Sequence, residues 1–386
     1  MPLLFLVITL LLVACGGDKE DGTNGGENNW LKDANLDKTE TVDELYEKAK
    51  EEGEVVVYSH SSLIADVEEN FAEEYPGIKV EGYRLHGVEM LEKIKREYES
   101  GVNNADVILA KEMGGAIKND LLKNGIVHNY KPDDIKEKMI EPYKSSPNLV
   151  QFVEYRALFY NTDVYNESPV DNWWDLTTDE WTGRLVIVNP MESSDTMDLF
   201  IAMVENADEM AEAYEEKFGE EIELDGTENA GYEFIKQLTG NDLIITTSSS
   251  EAVKAVAQST SDKPPVTIAV SSKLKDVEEQ GFSINFSYDI KPRMSVSEES
   301  EIYIADGSQN VNAAKLMARW LAGESDGTGQ GLHTWSAPGN WHTRDDTTPV
   351  DPEQRPLEDL NVWKYNPDFY FEESEKIRDF WLQHQH

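Results

Sequence analysis

Val150-Gln-Phe-Val-Glu-Tyr-Arg-Ala-Leu-Phe-Tyr-Asn-Thr-Asp163 is the stretch that decides the architecture. It is rich in β-branched and aromatic residues and ends in a turn-forming Asn-Thr-Asp, so it reads as extended chain. A β/α alternation precedes it. The alternation restarts after it, with a new strand expected at Leu185–Val188. A strand between two α/β units is a crossover from one lobe to another. A second passage, Phe286 to Ile304, brings the chain back. The expected fold is α/β: two lobes, two hinge strands and a functional cleft between the lobes. Lobe 1 is assigned to 41–152 plus 290–340 and lobe 2 to 153–289, with 341–386 packing on lobe 2.

The strands place polar residues where a cleft would need them. Thr41 and Glu44 form a capping box for a helix that Gly53 ends. Glu54-Val-Val-Val-Tyr58 is a β-branched run suited to a strand buried on both faces. Ser59-His60-Ser61-Ser62 follows at once, then an amphipathic helix from Leu63 to Tyr75. The strand Ile78–Tyr83, the helix Met90–Ser100 and the strand Ala105–Ala110 complete the pattern, with Lys111-Glu112 after the last. In the second lobe, Ser193-Ser194-Asp195-Thr196 follow one strand and Ser248-Ser249-Ser250 follow the strand Leu243–Thr246. Ser271-Ser272 follow the strand Val266–Val270. Ligands of open α/β sheets bind at the carboxyl ends of strands. The helix Asn312–Ala322 carries Leu316, Met317, Trp320 and Leu321 at helical spacing, a stripe that reads as core.

Composition narrows the function. The chain has 386 residues, a length suited to two domains, and 39% hydrophobic residues support real cores. A net charge of −42 excludes nucleic-acid binding, which needs Lys and Arg against phosphates. The one cysteine, Cys15, permits neither an internal disulfide nor a cysteine zinc cluster. Leu3–Ala14 is too short for a membrane-spanning helix, which needs about 20 apolar residues, and fits the core of an export signal. No Lys or Arg precedes that run. It ends in Leu12-Val-Ala-Cys15-Gly-Gly17, which resembles the lipobox of bacterial lipoproteins. That likeness implies that 1–15 is a signal peptide with a lipidated Cys15. Residues 16–40, rich in Gly, Asn, Asp and Glu, read as a flexible linker.

Several motifs resemble the solute-binding proteins of ABC importers. They are Gly53-Glu-Val-Val-Val-Tyr-Ser59, Ala105-Asp-Val-Ile-Leu109, Glu154-Tyr-Arg-Ala-Leu-Phe-Tyr-Asn-Thr-Asp163, Trp173-Trp-Asp-Leu176 with Glu180-Trp-Thr-Gly-Arg-Leu185, and Asn310-Val-Asn-Ala-Ala-Lys315. The group they resemble binds ferric iron, phosphonates or sugar phosphates. The resemblance implies the type 2 periplasmic-binding fold, a monomer with no cofactor, a small-molecule ligand, a membrane permease as partner and an extracytoplasmic place on a lipid anchor. Iron binders of this group carry adjacent tyrosines after a strand of the second lobe. Ser271-Ser272 stand at that place here, and no Tyr-Tyr pair occurs in the chain. The expected ligand is therefore an organic anion such as a phosphonate or sugar phosphate, with ferric iron as the alternative.

Helix amino ends offer unpaired N–H groups to such an anion. The candidate ligand residues are Ser59, His60, Ser61, Ser62, Ser193, Ser194, Thr196, Ser248, Ser249 and Ser250. Each serine cluster is equally readable as a helix cap. Arg293 on the returning passage is a candidate anion partner or a hinge ion pair. His86, Glu112 and Tyr155 complete the set, Tyr155 being readable as core as well. A secreted hydrolase is the reading from another class. The chain has no G-x-S-x-G, H-E-x-x-H or P-loop motif, so the expectation is not an enzyme.

Overall fold

Runs of β-branched residues bounded by Gly, Pro and Ser become strands, and their order builds two lobes on a shared pair. The computed structural model describes residues 29–85, 87–191 and 194–385, without the side chains of 29, 194 and 195. The readings on the signal peptide, Cys15, His86 and Ser193, and on the side chain of Ser194, lie outside the described residues. The strands are β1 (Glu54–Ser59), β2 (Lys79–Arg84), β3 (Val107–Ala110), β4 (Val127–Asn129), β5 (Leu149–Asn161), β6 (Leu185–Val188), β7 (Ile244–Thr246), β8 (Val266–Val270), β9 (Ile284–Phe286), β10 (Ser297–Ala305) and β11 (Trp341–His342).

They hydrogen-bond in the order β2-β1-β3-β10-β5-β8-β6-β7. β1 runs parallel to β2 and β3 in lobe 1, and β6 runs parallel to β7 and β8 in lobe 2. Between them lie β10 and β5, antiparallel to each other and to their outer neighbours β3 and β8. β5 is the stretch with which the sequence analysis began, and all its residues are buried. The second passage is not one continuous strand. β9 pairs with the end of β5, and β10 forms the hinge pair with it. β11 adds to β5 on the other side of the same crossover.

Helices cover both sheet faces, and a large core cluster runs through both lobes. The Thr41–Glu44 capping box is present at the helix Val42–Glu52, and Gly53 closes that helix at φ 82°. Two stretches differ from expectation. The linker assignment 16–40 overlaps a folded segment: the helix Asn29–Ala34 docks on lobe 1, where Trp30 Nε1 donates to Ser308 O at 2.8 Å. Its one indole and the buried Ala34 give that polar stretch something to anchor. The terminal helix Pro367–His384 packs on the lobe-2 helices Ser194–Glu205 and Ala230–Thr239 and also on residues 117–122 of lobe 1. No helix among the described residues is long and apolar enough to cross a membrane.

Candidate functional site

The carboxyl ends of β1, β3 and β8 converge on a cavity of about 850 Å³ between the lobes. Its floor comes from the hinge. Glu154 and Arg156 are two apart on β5 and therefore project to one face. β10 places Glu298 directly opposite Glu154. Arg156 Nη2 donates to Glu298 Oε2 at 2.6 Å, and Arg156 Nε pairs with the same carboxylate. Lys111, just past β3, brings Nζ to 2.7 Å from Glu154 Oε2 and 3.3 Å from Glu298 Oε2. Burial works against charge on both partners, yet Lys111 holds Glu154 down to about 2. Glu154 and Glu298 in turn hold Lys111 above the ordinary lysine range against its own desolvation. Ser272 donates a further hydrogen bond to Glu154. The floor thus joins two cations to two carboxylates in one buried cluster.

The lobe-1 wall carries His60, Ser61, Ser62, Arg84 and Gly87. Ser59 Oγ accepts from Ser61 N at 3.1 Å, and Ser61 Oγ accepts from Leu63 N at 3.2 Å. These bonds set the turn into the helix Ile64–Glu74. His60 Nε2 lies 3.2 Å from Ser300 Oγ on β10. Burial, with Lys111 adding, pushes the imidazole down to about 3, so it is neutral over the physiological range. Arg84 ends β2 at the cavity mouth, and the helix Gly87–Ser100 begins beside it. The lobe-2 wall is acidic apart from Lys275, with Asp198, Glu278 and Glu279.

A third wall comes from Thr334–Asn340. Gly339 has φ 84°, and a Cβ there would lie 2.1 Å from Ser271 O, so only glycine fits. Ser271 Oγ donates to Gly339 O and accepts from Tyr155 N, and Gln354 Oε1 accepts from Gly339 N at 2.7 Å. The loop is thus fixed over the end of β8, and it brings Trp335 and Asn340 into the cavity lining.

Of the residues singled out in the sequence, His60, Ser61 and Ser62 line the cavity, with Ser59 buried directly behind them. The others that the structure describes are placed elsewhere. Glu112 accepts the backbone N–H of Ile117 at 3.2 Å and stands outside the lining; burial raises its carboxyl. Tyr155 is in the core, edge-on to Trp341 with ring centroids 5.1 Å apart. The Thr196 hydroxyl donates to Val188 O at 3.3 Å. Ser248 caps the helix Ser249–Ala257 by accepting from Glu251 N, and Ser249 and Ser250 form its first turn outside the lining. Arg293 pairs with Glu209 at 2.8 Å on the outer surface. Sequence reasoning missed Arg84, Lys111, Glu154, Arg156 and Glu298. The available signal was a Glu and an Arg two apart in an otherwise apolar run, which must share one buried face and need partners there.

Among the described residues, no three His, Cys, Asp or Glu side chains are grouped to hold a metal ion. Residues 67–330, well over half of the chain, match the family model described as bacterial extracellular solute-binding protein. Among solved structures, the chain is similar to iron-bound HitA from Pseudomonas aeruginosa at 18% identity and TM-score 0.64, covering 86% of this chain and 98% of that one. AfuA from Actinobacillus pleuropneumoniae, with exogenous fructose-6-phosphate bound, is similar at 17% identity and TM-score 0.61, with coverage of 86% and 98%. Trichodesmium IdiA (FutA), in complex with iron and citrate, is similar at 16% identity and TM-score 0.59, with coverage of 86% and 99%. Comparison with curated protein sequences finds no match.

Proposed function

The chain belongs to the bacterial extracellular solute-binding protein family, as the extracytoplasmic solute-binding component of an ABC transporter and not an enzyme, and from that premise we propose that its cleft takes a small organic anion. The class we favour bears a phosphonate or phosphate group, as a sugar phosphate does. One observation carries this reading. Arg84 lines the cavity and, among the described residues, has no carboxylate partner. Lys111 and Arg156 are matched by Glu154 and Glu298, and Lys275 has Glu279 at 3.8 Å. An anion at the lobe-1 wall would meet Arg84, the hydroxyls of Ser61 and Ser62, and the amino ends of two helices. The charge-balanced floor, with Ser272, Ser336 and Asn340, suits an uncharged polar body. AfuA, with its fructose-6-phosphate, is a precedent on this fold for such a ligand.

A thermal-shift panel of phosphate esters, phosphonates, carboxylates and ferric salt tests the reading. The first two classes are expected to stabilise the protein, by about 2.7 kcal/mol at a hundredfold the dissociation constant. Stabilisation by ferric salt alone, or by none of the anions, would overturn it. We further propose that a lipid on Cys15 holds the protein, as a monomer, outside the cytoplasmic membrane, where it delivers its ligand to the permease. Cys15→Ser is expected to move it from the membrane fraction to the soluble one.

A further inference from the structure

The rear of the hinge is built from different chemistry. On β10, Glu299 and Glu301 alternate with Glu298 and Ser300, so they project away from the cavity. Glu301 is buried and accepts hydrogen bonds from Tyr303 Oη at 2.6 Å and from Asn148 Nδ2. Glu299 Oε1 accepts from Ser297 Oγ at 3.4 Å. Four other elements bring charged or titratable groups against the pair. β5 contributes Tyr155, and Tyr143 lies beside it. The loop after β3 contributes Glu112, itself influenced by Asp120. The C-terminal segment contributes Lys364, which acts on Glu299, and Tyr365, which stands near Glu112 and Glu301. Among the described residues, no Lys or Arg is in ion-pair contact with either carboxyl.

Two carboxyls on one face of a strand, Glu301 buried and Glu299 half-buried, cannot both ionise cheaply. Burial, then the neighbouring Glu301, pushes Glu299 up to about 8. Burial pushes Glu301 up to about 6 against the hydrogen bonds from Tyr303 and Asn148. The location gives this consequence. β10 runs beside the crossover strand β5, pairing with β3 on one side and with β5 and then β4 on the other. Its register against β5 shifts between Ser300 and Glu301, inside the carboxyl pair, where the ladder is least regular.

We propose that Glu299 and Glu301 hold a proton on the rear face of the hinge, and that losing it loosens β10 and opens the cleft. A second negative charge there requires hydration. Glu299 is half-buried, but water reaches Glu301 only if β10 parts from the layer of Tyr143, Tyr155 and Tyr365. The two lobes then move relative to each other. This inference rests on the two-lobed hinge and not on the anion reading, so either can fail alone.

Small-angle scattering on the ligand-free protein, taken from about pH 5.5 to about pH 9, tests it, a range that brackets the titration of the pair. The radius of gyration of the wild type is expected to rise across that range. That of Glu299→Gln, which cannot acquire the second charge, is expected to stay constant. Glu301→Gln serves as the second variant should Glu299→Gln not fold. Infrared spectroscopy gives an independent readout: a protonated-carboxyl stretch at neutral pH in the wild type that weakens in either variant. A constant wild-type radius, an equal rise in the variants, or no protonated carboxyl at neutral pH would each overturn the proposal.

Discussion

The two faces of one hinge hold the same residue type in opposite states. Toward the cleft, Glu154 and Glu298 are ionised and locked to Lys111 and Arg156. On the rear, Glu299 and Glu301 sit among phenols and an amide, and burial favours their neutral forms. Neighbours on one strand, Glu298 and Glu299, thus differ by which side of a pleat they occupy. Charge in a dry place survives when matched by a partner and is replaced by a proton when it is not. The cleft face is therefore held by paired charge, and the rear face by hydrogen bonds to carboxyls that burial favours as neutral.

The largest expected effect breaks the cleft face. Glu298→Ala leaves Arg156 buried without its carboxylate, and removing one member of a buried pair costs about 3–5 kcal/mol. Urea unfolding near neutral pH measures it. A cost near zero would mean that the floor is not the matched cluster described above.

The second effect contrasts the faces by pH. Glu154 has its folded pKa depressed to about 2, so its contribution is complete above the unfolded value and is lost as pH falls through that range. His60, held neutral by desolvation, adds to the loss once the unfolded imidazole begins to protonate below its ordinary value of about 6.5. Glu299 and Glu301 have raised folded values. Their contribution is complete in acid and is lost as pH rises through about 6 to about 8. Acid should weaken the cleft face and alkali the rear. Glu299→Gln is expected to flatten the alkaline decline, by on the order of 2 kcal/mol at about pH 9, and to leave the acid limb unchanged. Melting temperatures across pH check both limbs.

The smallest effect separates a cap from a binding residue. Ser248→Ala is expected to cost about 1 kcal/mol of stability and to leave anion binding unchanged, because Ser248 caps its helix away from the cavity. Weaker binding at unchanged stability would reverse that reading.

Much of this was legible in the sequence, for identifiable reasons. β5 is apolar enough that its extended form and its burial both showed in the run from Val150. The capping box at Thr41 and the Ser59–Ser62 turn were readable because their hydrogen bonds are local. The three serine clusters looked alike because a cap and an anion site use the same hydroxyls. Only tertiary placement separates Ser61 and Ser62, in the cleft wall, from Ser248 to Ser250, on an outer helix. Lys111 read only as a charge after a strand and Arg84 not at all, since nothing local shows that carboxylates face the first and not the second. The partnership of Glu154 with Glu298 depends on the register of β5 against β10, set by residues far apart in the chain.

The claim on which the function rests is that Arg84 supplies the cleft's free positive charge. Calorimetric titration of the best phosphate or phosphonate from the panel into wild type and Arg84→Ala measures it. The account expects a loss of tenfold or more in affinity, about 1.4 kcal/mol or greater, with the unfolding midpoint of the ligand-free protein unchanged. Equal affinity for the two proteins would contradict it.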